Sequence, residues 1–353
     1  MKTRKIISVF AATAMMAAAS SCSMVYDDLP ECRYGTRLRF VYDHNIEFAD
    51  AFSRQVDCLT VLVYDASGRY VTTLTEQGAP LADENYRMQV DLAPGHYTLV
   101  AYGGMQCDNS SFRFVDEPSA TGSLEQRQVE LHPDNYHAPV RSIGEGEGAE
   151  LHNHFYGTAE MEVSNDFNDY DEYTVRMMRN TNIVRVLLQQ TDGEPLDCDE
   201  FDFRVIADNR LMDHDNKVIS TGDISYWPWA TGNEQPGELP SGRPATVAWG
   251  EFSLSRIVDR SQMKGLASDA AYTGPRLVVT SKADGREVVD IPLINYLLLT
   301  KPAGQPFASM SAQEYLDREN TWSLFFLLDR HYQWVQVQVA VRGWTVRFNN
   351  PNL

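Results

Sequence analysis

Apolar and polar residues alternate in short runs along most of the chain. Residues 36–43, 57–65, 86–92 and 96–104 each place apolar side chains at every second position. Successive side chains of a β-strand point to opposite faces, so a period of two predicts strands with one buried face. Turn residues separate these runs, which is typical of antiparallel sheets with short connections.

The second half of the chain repeats this pattern and adds little helix. Residues 276–293 predict a hairpin in which Asp284-Gly285 forms a type I′ turn, and residues 322–348 predict two or three further strands. A capping box at 311–314 predicts a short helix, and residues 293–299 predict another. The sequence therefore predicts an all-β protein with two tandem antiparallel β-sandwich domains and few short helices.

The N-terminus has the features of an export signal. Lys2, Arg4 and Lys5 precede an apolar run at 6–19, and small residues lead from this run to Cys22. This order resembles a bacterial lipobox, so we expect cleavage before Cys22 and attachment of lipid to it. The alternative is an ordinary signal peptide that leaves Cys22 as a spare thiol.

Two polar segments divide the predicted strands. Residues 132–154 form a loop rich in Pro, Gly and His, and the acidic run at 164–173 is interpreted as a boundary. The predicted regions are a lipoprotein signal peptide at 1–21, a lipidated leash at 22–31, an N-terminal sandwich at 32–165 and a C-terminal sandwich at 166–353.

The chain is strongly acidic. It carries 30 basic and 49 acidic residues, and removal of residues 1–21 takes away three basic ones, which leaves a net charge of −22. Such a charge disfavours nucleic acid and anionic lipid as binding partners, so we expect no nucleic-acid partner.

Four cysteines remain beyond Cys22, namely Cys32, Cys58, Cys107 and Cys198. An even number in an exported protein permits two disulfides with three possible connectivities, and the sequence does not choose among them. Their spacing matches no zinc-binding pattern.

Candidate metal ligands have simpler interpretations. The segment Asp213-His214-Asp215-Asn216 resembles the start of a calcium loop, but Lys217 and Val218 stand where a ligand and the turn glycine belong, so a polar turn is predicted. His152 and His154 are interpreted as an exposed pair in a polar loop. We therefore expect no metal site and no cofactor.

Trp227 and Trp229 are the candidate ligand-stacking residues, because exposed tryptophans stack on sugars and on protein ligands, but packing of their loop over the sandwich is the favoured interpretation. The chain contains no nucleophile elbow, zinc-protease motif, phosphate-binding loop or dinucleotide fingerprint. No catalytic residue is predicted, and we expect the protein not to be an enzyme.

Several segments together resemble the fimbrial anchor lipoproteins of Bacteroidetes, relatives of the minor-fimbrium anchoring subunit of type V pili. They are "SSCSMVYDDLPEC", "LRFVYDHNIEFADAFSRQVDCLTVLVYDASGRYV", "LAPGHYTLVAYGGM", "MMRNTNIVRVLLQQ", "INYLLLTKPAG" and "FFLLDRHYQWVQVQVAVRGWTVRFNN". The resemblance covers nearly the whole chain after Cys22.

The resemblance implies two transthyretin-like sandwiches in a lipoprotein of the outer membrane that is exposed at the cell surface. It also implies fimbrial stalk subunits as partners, joined by β-strand complementation at an open sheet edge. Only residues 349–353 follow the last predicted strand, so we expect this protein to accept a strand and to donate none.

Three other functions compete with this one. A surface glycan-binding lipoprotein would share the lipobox-like segment, the acidity and the sandwiches. A tip or accessory adhesin of the same pilus would differ only in its position. An enzyme would need a pair of carboxylates arranged in a deep cleft.

Overall fold

The computed structural model describes residues 35–136, 147–164, 169–238, 242, 244–267, 271–341 and 344–349. The predicted signal peptide and leash, with Cys22 and Cys32, lie outside these residues. Strands greatly outnumber helices in the described part of the chain, which confirms the all-β prediction.

The strands are β1 (Gly35–His44), β2 (Cys58–Asp65), β3 (Tyr70–Gln77), β4 (Met88–Val90), β5 (Gly95–Gly103), β6 (Phe112–Phe114), β7 (Gln128–Leu131), β8 (Phe155–Val163), β9 (Tyr170–Arg179), β10 (Asn182–Gln190), β11 (Phe201–Ala207), β12 (Leu211–Asp213), β13 (Val218–Ile219), β14 (Ile224–Tyr226), β15 (Ala230–Glu238), β16 (Pro244–Leu254), β17 (Arg276–Ser281), β18 (Glu287–Pro292), β19 (Thr321–Leu328), β20 (Trp334–Val341) and β21 (Trp344–Asn349). The α-helices are α1 (Phe52–Gln55), α2 (Leu293–Leu297) and α3 (Ala312–Arg318). Short 3₁₀ turns occupy Ala79–Ala82, Leu124–Gln126, Pro133–Asn135, Cys198–Glu200, Arg260–Gln262, Leu298–Thr300 and Phe307–Ser309.

Sheet 1 belongs to the first half of the chain and has the strand order β3-β2-β5-β8-β9-β1-β4. Its neighbouring strands are antiparallel except for β1 and β9, which run parallel. One face buries Val61, Leu99 and Val175 together with Phe52 of α1 and Leu81. The alternation in the sequence thus supplies a core face, because every second side chain reaches the same side of the sheet.

Sheets 3 and 4 belong to the second half. Sheet 3 has the order β14-β11-β17-β18, and sheet 4 has the order β15-β16-β10-β19-β20-β21. Strands β10 and β19 run parallel, as do β1 and β9, and these two pairs depart from the antiparallel pairing that the sequence predicted. Phe203 and Leu277 of sheet 3 share one buried cluster with Val186, Phe326 and Val339 of sheet 4. Two sheets that bury their apolar faces together form a sandwich.

Sheet 2 joins the two halves. Its order is β13-β12-β7-β6, and Val129 of β7 pairs with Met212 of β12. Leu62 and Tyr102, on the second face of sheet 1, belong to the same buried cluster as these strands and the core of the second half. The halves therefore share a sheet and a continuous core, whereas the sequence predicted two sandwiches in tandem.

The predicted boundary after residue 165 needs correction. Strand β9 lies beyond it but pairs with β8 and β1 inside sheet 1. One of the acidic residues that suggested a linker, Glu172, lies on the outer face of this strand and forms ion pairs with Arg37 and Arg87. Val175 of the same strand is buried in the core. The change from sheet 1 to sheet 4 thus falls between β9 and β10.

Both predicted helices are confirmed as α2 and α3. The side chain of Ser311 accepts a hydrogen bond of 3.0 Å from the backbone N–H of Glu314, as a cap should. The hairpin is confirmed as β17 and β18, but its turn is not type I′. Five residues, 282–286, connect the strands, and Gly285 adopts the left-handed backbone with φ of 70°.

Candidate functional site

A buried polar network lies where the halves meet. Arg256 follows β16 and binds Asp317 of α3 with two hydrogen bonds, of 2.9 and 2.8 Å, and it also donates to the carbonyl of Asn216. The side chains of Arg256 and Asp317 are only 14% and 9% exposed. Asn216 and Asn180 exchange side-chain hydrogen bonds of 2.9 and 2.8 Å. These hydrogen bonds connect α3 to the β12–β13 turn, and that turn to the end of β9.

His154 belongs to this network and is completely buried. Its ring stacks on Phe112 with centroids 4.5 Å apart, and the amide nitrogen of Asn180 lies 3.1 Å from its Nδ1. Burial is the main cause that lowers the pKa of His154 to about 3. The interpretation of His152 and His154 as an exposed pair is therefore wrong, because His154 supports the joint between the halves.

We expect acid to destabilise the protein through His154. Its pKa is about 6.5 in the unfolded chain and about 3 in the folded one, so the unfolded chain binds more protons between these values. The stability that neutral His154 supports is complete above pH 6.5 and falls as the pH is lowered toward 3. The free energy of unfolding, measured with urea, should fall between pH 7 and pH 5 in the parent. This fall should be about 2 kcal/mol larger in the parent than in His154→Gln. If the free energy of unfolding depends on pH equally in the two proteins, His154 is not the cause of the loss of stability in acid.

The calcium-like segment forms a polar turn between β12 and β13, as predicted. The carboxylate of Asp213 accepts hydrogen bonds of 3.0 and 2.9 Å from the backbone N–H groups of Asp215 and Lys217. It also binds the ammonium group of Lys264. Hydrogen bonds from these groups hold the pKa of Asp213 below its usual range, against the opposing effect of burial.

The cysteines separate into three groups. Cys58, at the start of β2, forms a disulfide with Cys107, in the loop after β5, with the two Cα atoms 6.3 Å apart. Cys198 is a free and buried thiol, and burial raises its pKa. Cys32 lies outside the described residues.

The two candidate tryptophans have different environments. Trp227 is 5% exposed, so neither of its faces is open for stacking, as the favoured interpretation of a packed loop requires. Trp229 is 36% exposed and lines a pocket with Phe201, Thr231 and Lys282. Of these two tryptophans, only Trp229 is therefore exposed enough to stack on a ligand.

Free sheet edges are the surfaces at which another chain could add a strand. Most edges in the described part of the chain are protected. Strands β4, β6, β13 and β14 have two or three residues each. Strand β15 contains Pro236 and an irregular register between Glu234 and Gly237, and β18 ends at Pro292. The longer edges without proline are β3 and β21.

Strand β3 is an open edge of eight residues. The backbone N–H of its first residue, Tyr70, donates to the carbonyl of Gly122, and the described residues place no strand beside the rest of its outer side. Val71 is 40% exposed on this edge, and threonines occupy positions 72, 73 and 75. Such β-branched residues favour extended backbone, so β3 can accept an added strand.

In the part of the chain described here, no helix is both long and apolar enough to cross a membrane.

The chain resembles known fimbrial proteins. The family model of fimbrillin-A associated anchor proteins Mfa1 and Mfa2 matches residues 29–350. A crystal structure of a proposed adhesin from Bacteroides thetaiotaomicron has 41% sequence identity and a TM-score of 0.76, over 91% of this chain and 100% of that one. A proposed polysaccharide-binding protein of the same species has 29% identity and a TM-score of 0.69, over 90% and 99%. No curated protein matches.

The fimbrial anchor protein Mfa2 from Porphyromonas gingivalis is 15% identical, with a TM-score of 0.59 over 89% of this chain and 99% of that one. At this identity the likeness shows a shared fold. The family model covers all but the ends of the chain, which confirms the resemblance found in the sequence. The chain therefore belongs to the family of fimbrillin-A associated anchor proteins Mfa1 and Mfa2.

Proposed function

We propose that the protein is a lipid-anchored subunit of the outer membrane that holds a fimbrial shaft at the cell surface. The observation that carries this proposal is the family match over residues 29–350, which begins shortly after the lipobox-like segment ending at Cys22. A lipid on Cys22 would fix one end of the chain to the membrane, and the β-rich body would bind the fibre. The protein acts as a structural component and not as an enzyme.

The fibre would be joined by strand addition to sheet 1. The edge of β3 supports this assignment because it is long, lacks proline and exposes Val71. Backbone groups on an open edge supply hydrogen bonds to an incoming strand, and the side chains select which strand fits. The incoming strand would belong to the first stalk subunit.

The variant Val71→Lys tests this edge. A lysine on an edge strand disfavours strand addition, since its charge must be desolvated when another strand packs beside it. We expect the variant to capture at least about tenfold less stalk subunit than the parent from detergent-solubilised outer membranes.

Leu299→Lys is the matched control, because Leu299 is 41% exposed but lies in the 3₁₀ turn after α2 and not on a sheet edge. It should capture as much stalk subunit as the parent. If both variants capture the same amount of stalk subunit, β3 is not the acceptor edge. Failure of the parent to capture any fimbrial subunit would contradict the proposed function itself.

A further inference from the structure

Three side chains from distant parts of the sequence meet beside sheet 1. They come from the start of β2, from the loop after β5 and from the segment before β8. The Sγ atoms of Cys58 and Cys107 and a ring nitrogen of His152 all lie within 4.8 Å of one another. Cys58 and Cys107 form a disulfide here, but after reduction two thiolates and an imidazole would form a ligand set that is typical of zinc.

The imidazole of His152 is oriented as in a metal site. Its Nε2 lies 2.9 Å from a carboxylate oxygen of Asp57, and its backbone N–H donates to the hydroxyl of Ser111 over 2.8 Å. The carboxylate selects the tautomer with the proton on Nε2, so Nδ1 keeps its lone pair. Nδ1 is buried and has no hydrogen-bond partner in the described structure. Metal-binding histidines commonly donate their other ring nitrogen to a carboxylate in this way.

The disulfide alone leaves Nδ1 of His152 without a hydrogen-bond partner among the described residues. A buried nitrogen without a partner destabilises the folded protein, and each such group calls for an explanation. A metal ion between the sulfur atoms and Nδ1 would provide the missing partner. The Cα separation of 6.3 Å between the cysteines also suits two thiolates on one metal ion, since Zn–S bonds of about 2.3 Å place the sulfurs about 3.8 Å apart.

We propose that the reduced form of the protein binds one Zn²⁺ through Cys58, Cys107 and Nδ1 of His152, with Asp57 as the positioning residue. A dithiol reductant supplies two electrons and two protons, which break the S–S bond and leave two thiols, while the reductant becomes a disulfide. Zn²⁺ then displaces the two thiol protons. A disulfide oxidant reverses the process: it accepts two electrons from the zinc-bound thiolates, takes up two protons to become two thiols, and leaves the Cys58–Cys107 bond re-formed and the metal ion released.

The fourth position around the metal ion would face an open polar groove. Ser110, whose hydroxyl lies 3.3 Å from Sγ of Cys107, lines this groove together with His152, Asp108 and Glu150. A water molecule from the groove completes the four-coordinate geometry that zinc prefers.

Zinc titration of the reduced full chain tests the site. The parent for this experiment carries Cys22→Ser, Cys32→Ser and Cys198→Ser, so that only the two proposed thiol ligands remain. Competition against a chromogenic chelator should give one Zn²⁺ per reduced chain and none per oxidised chain. Cys58→Ser and His152→Ala should each weaken binding at least about 100-fold, and Asp57→Asn about 10- to 100-fold.

His132→Ala is the matched control, because His132 lines the same groove but is not among the proposed ligands. It should bind zinc as the parent does. Cobalt(II) added to the reduced parent should produce a thiolate-to-metal charge-transfer band, a readout that needs no further variant. Absence of zinc binding, equal binding by His152→Ala and the parent, or loss of the near-UV circular dichroism on reduction would each overturn the proposal.

Discussion

Replacing Cys22 with alanine is expected to move the protein and its fimbriae from the cell surface into the medium. Lipid attached to this residue would bury several tens of methylene groups, and each contributes about 0.8 kcal/mol to membrane binding. Cell fractionation with immunoblotting of pellet and medium would show the change, and we expect nearly all of the subunit in the medium.

Cys32→Ala is the control for this experiment, because it removes the next cysteine along the chain without touching the lipobox-like segment. This variant should remain in the membrane fraction. Fimbriae that stay firmly attached to cells producing Cys22→Ala, with no subunit in the medium, would show that Cys22 is not the attachment point.

The largest effect on stability is expected for Arg256→Ala. Removal of the guanidinium leaves the carboxylate of Asp317 nearly buried and without its cation, and it also removes a donor from the carbonyl of Asn216. Breaking a buried ion pair in this way costs about 3–5 kcal/mol of unfolding free energy. Urea unfolding monitored by tryptophan fluorescence would measure the loss.

Arg276→Ala provides the comparison, since Arg276 and Asp290 form an ion pair with side chains that are 42% and 33% exposed. Water and salt screen such a pair, so its loss should cost at most about 1 kcal/mol. The double variant Arg256→Met/Asp317→Leu should recover most of the stability lost in Arg256→Ala, because no charge stays buried. If Arg256→Ala and Arg276→Ala lower the free energy of unfolding equally, the contact between the two halves does not depend on the Arg256–Asp317 pair.

Local structure followed the sequence closely. Alternation placed Leu38 and Phe40 on the buried face of β1, and the capping box began α3 after Ser311. Both signals act over a few residues, so they can be read without knowledge of the rest of the fold. The acidic run at 164–173 misled the boundary prediction because it overlaps the start of β9, which carries Glu172 on its outer face and Val175 in the core.

Long-range structure could not be read in the same way. Sheet 2 contains β6 and β7 together with β12 and β13. These two pairs of strands are far apart along the chain, so no local sequence pattern predicts that they form one sheet. The contact between Cys58, Cys107 and His152 likewise depends on the folded sheet. The sequence did not predict the burial of His154, because polar residues in loops are often exposed and their burial depends on the surrounding packing.

The family identification limits the range of functions for this chain. It supports a fimbria-associated protein of the cell surface and gives no support to an enzyme. Within that range, a basal anchor and a distal adhesin differ in where the subunit lies along the fibre. The family match over residues 29–350 carries the anchor proposal, and the lipobox-like segment and the open edge of β3 support it.

Immunogold electron microscopy of intact cells tests the anchor proposal most directly. Antibodies against this chain, with a second gold size for the stalk subunit, would locate both along single fimbriae. The proposal predicts that the label for this chain lies at the cell-proximal end of each fibre. Label at the distal tips, or on cells without association with fimbriae, would contradict it.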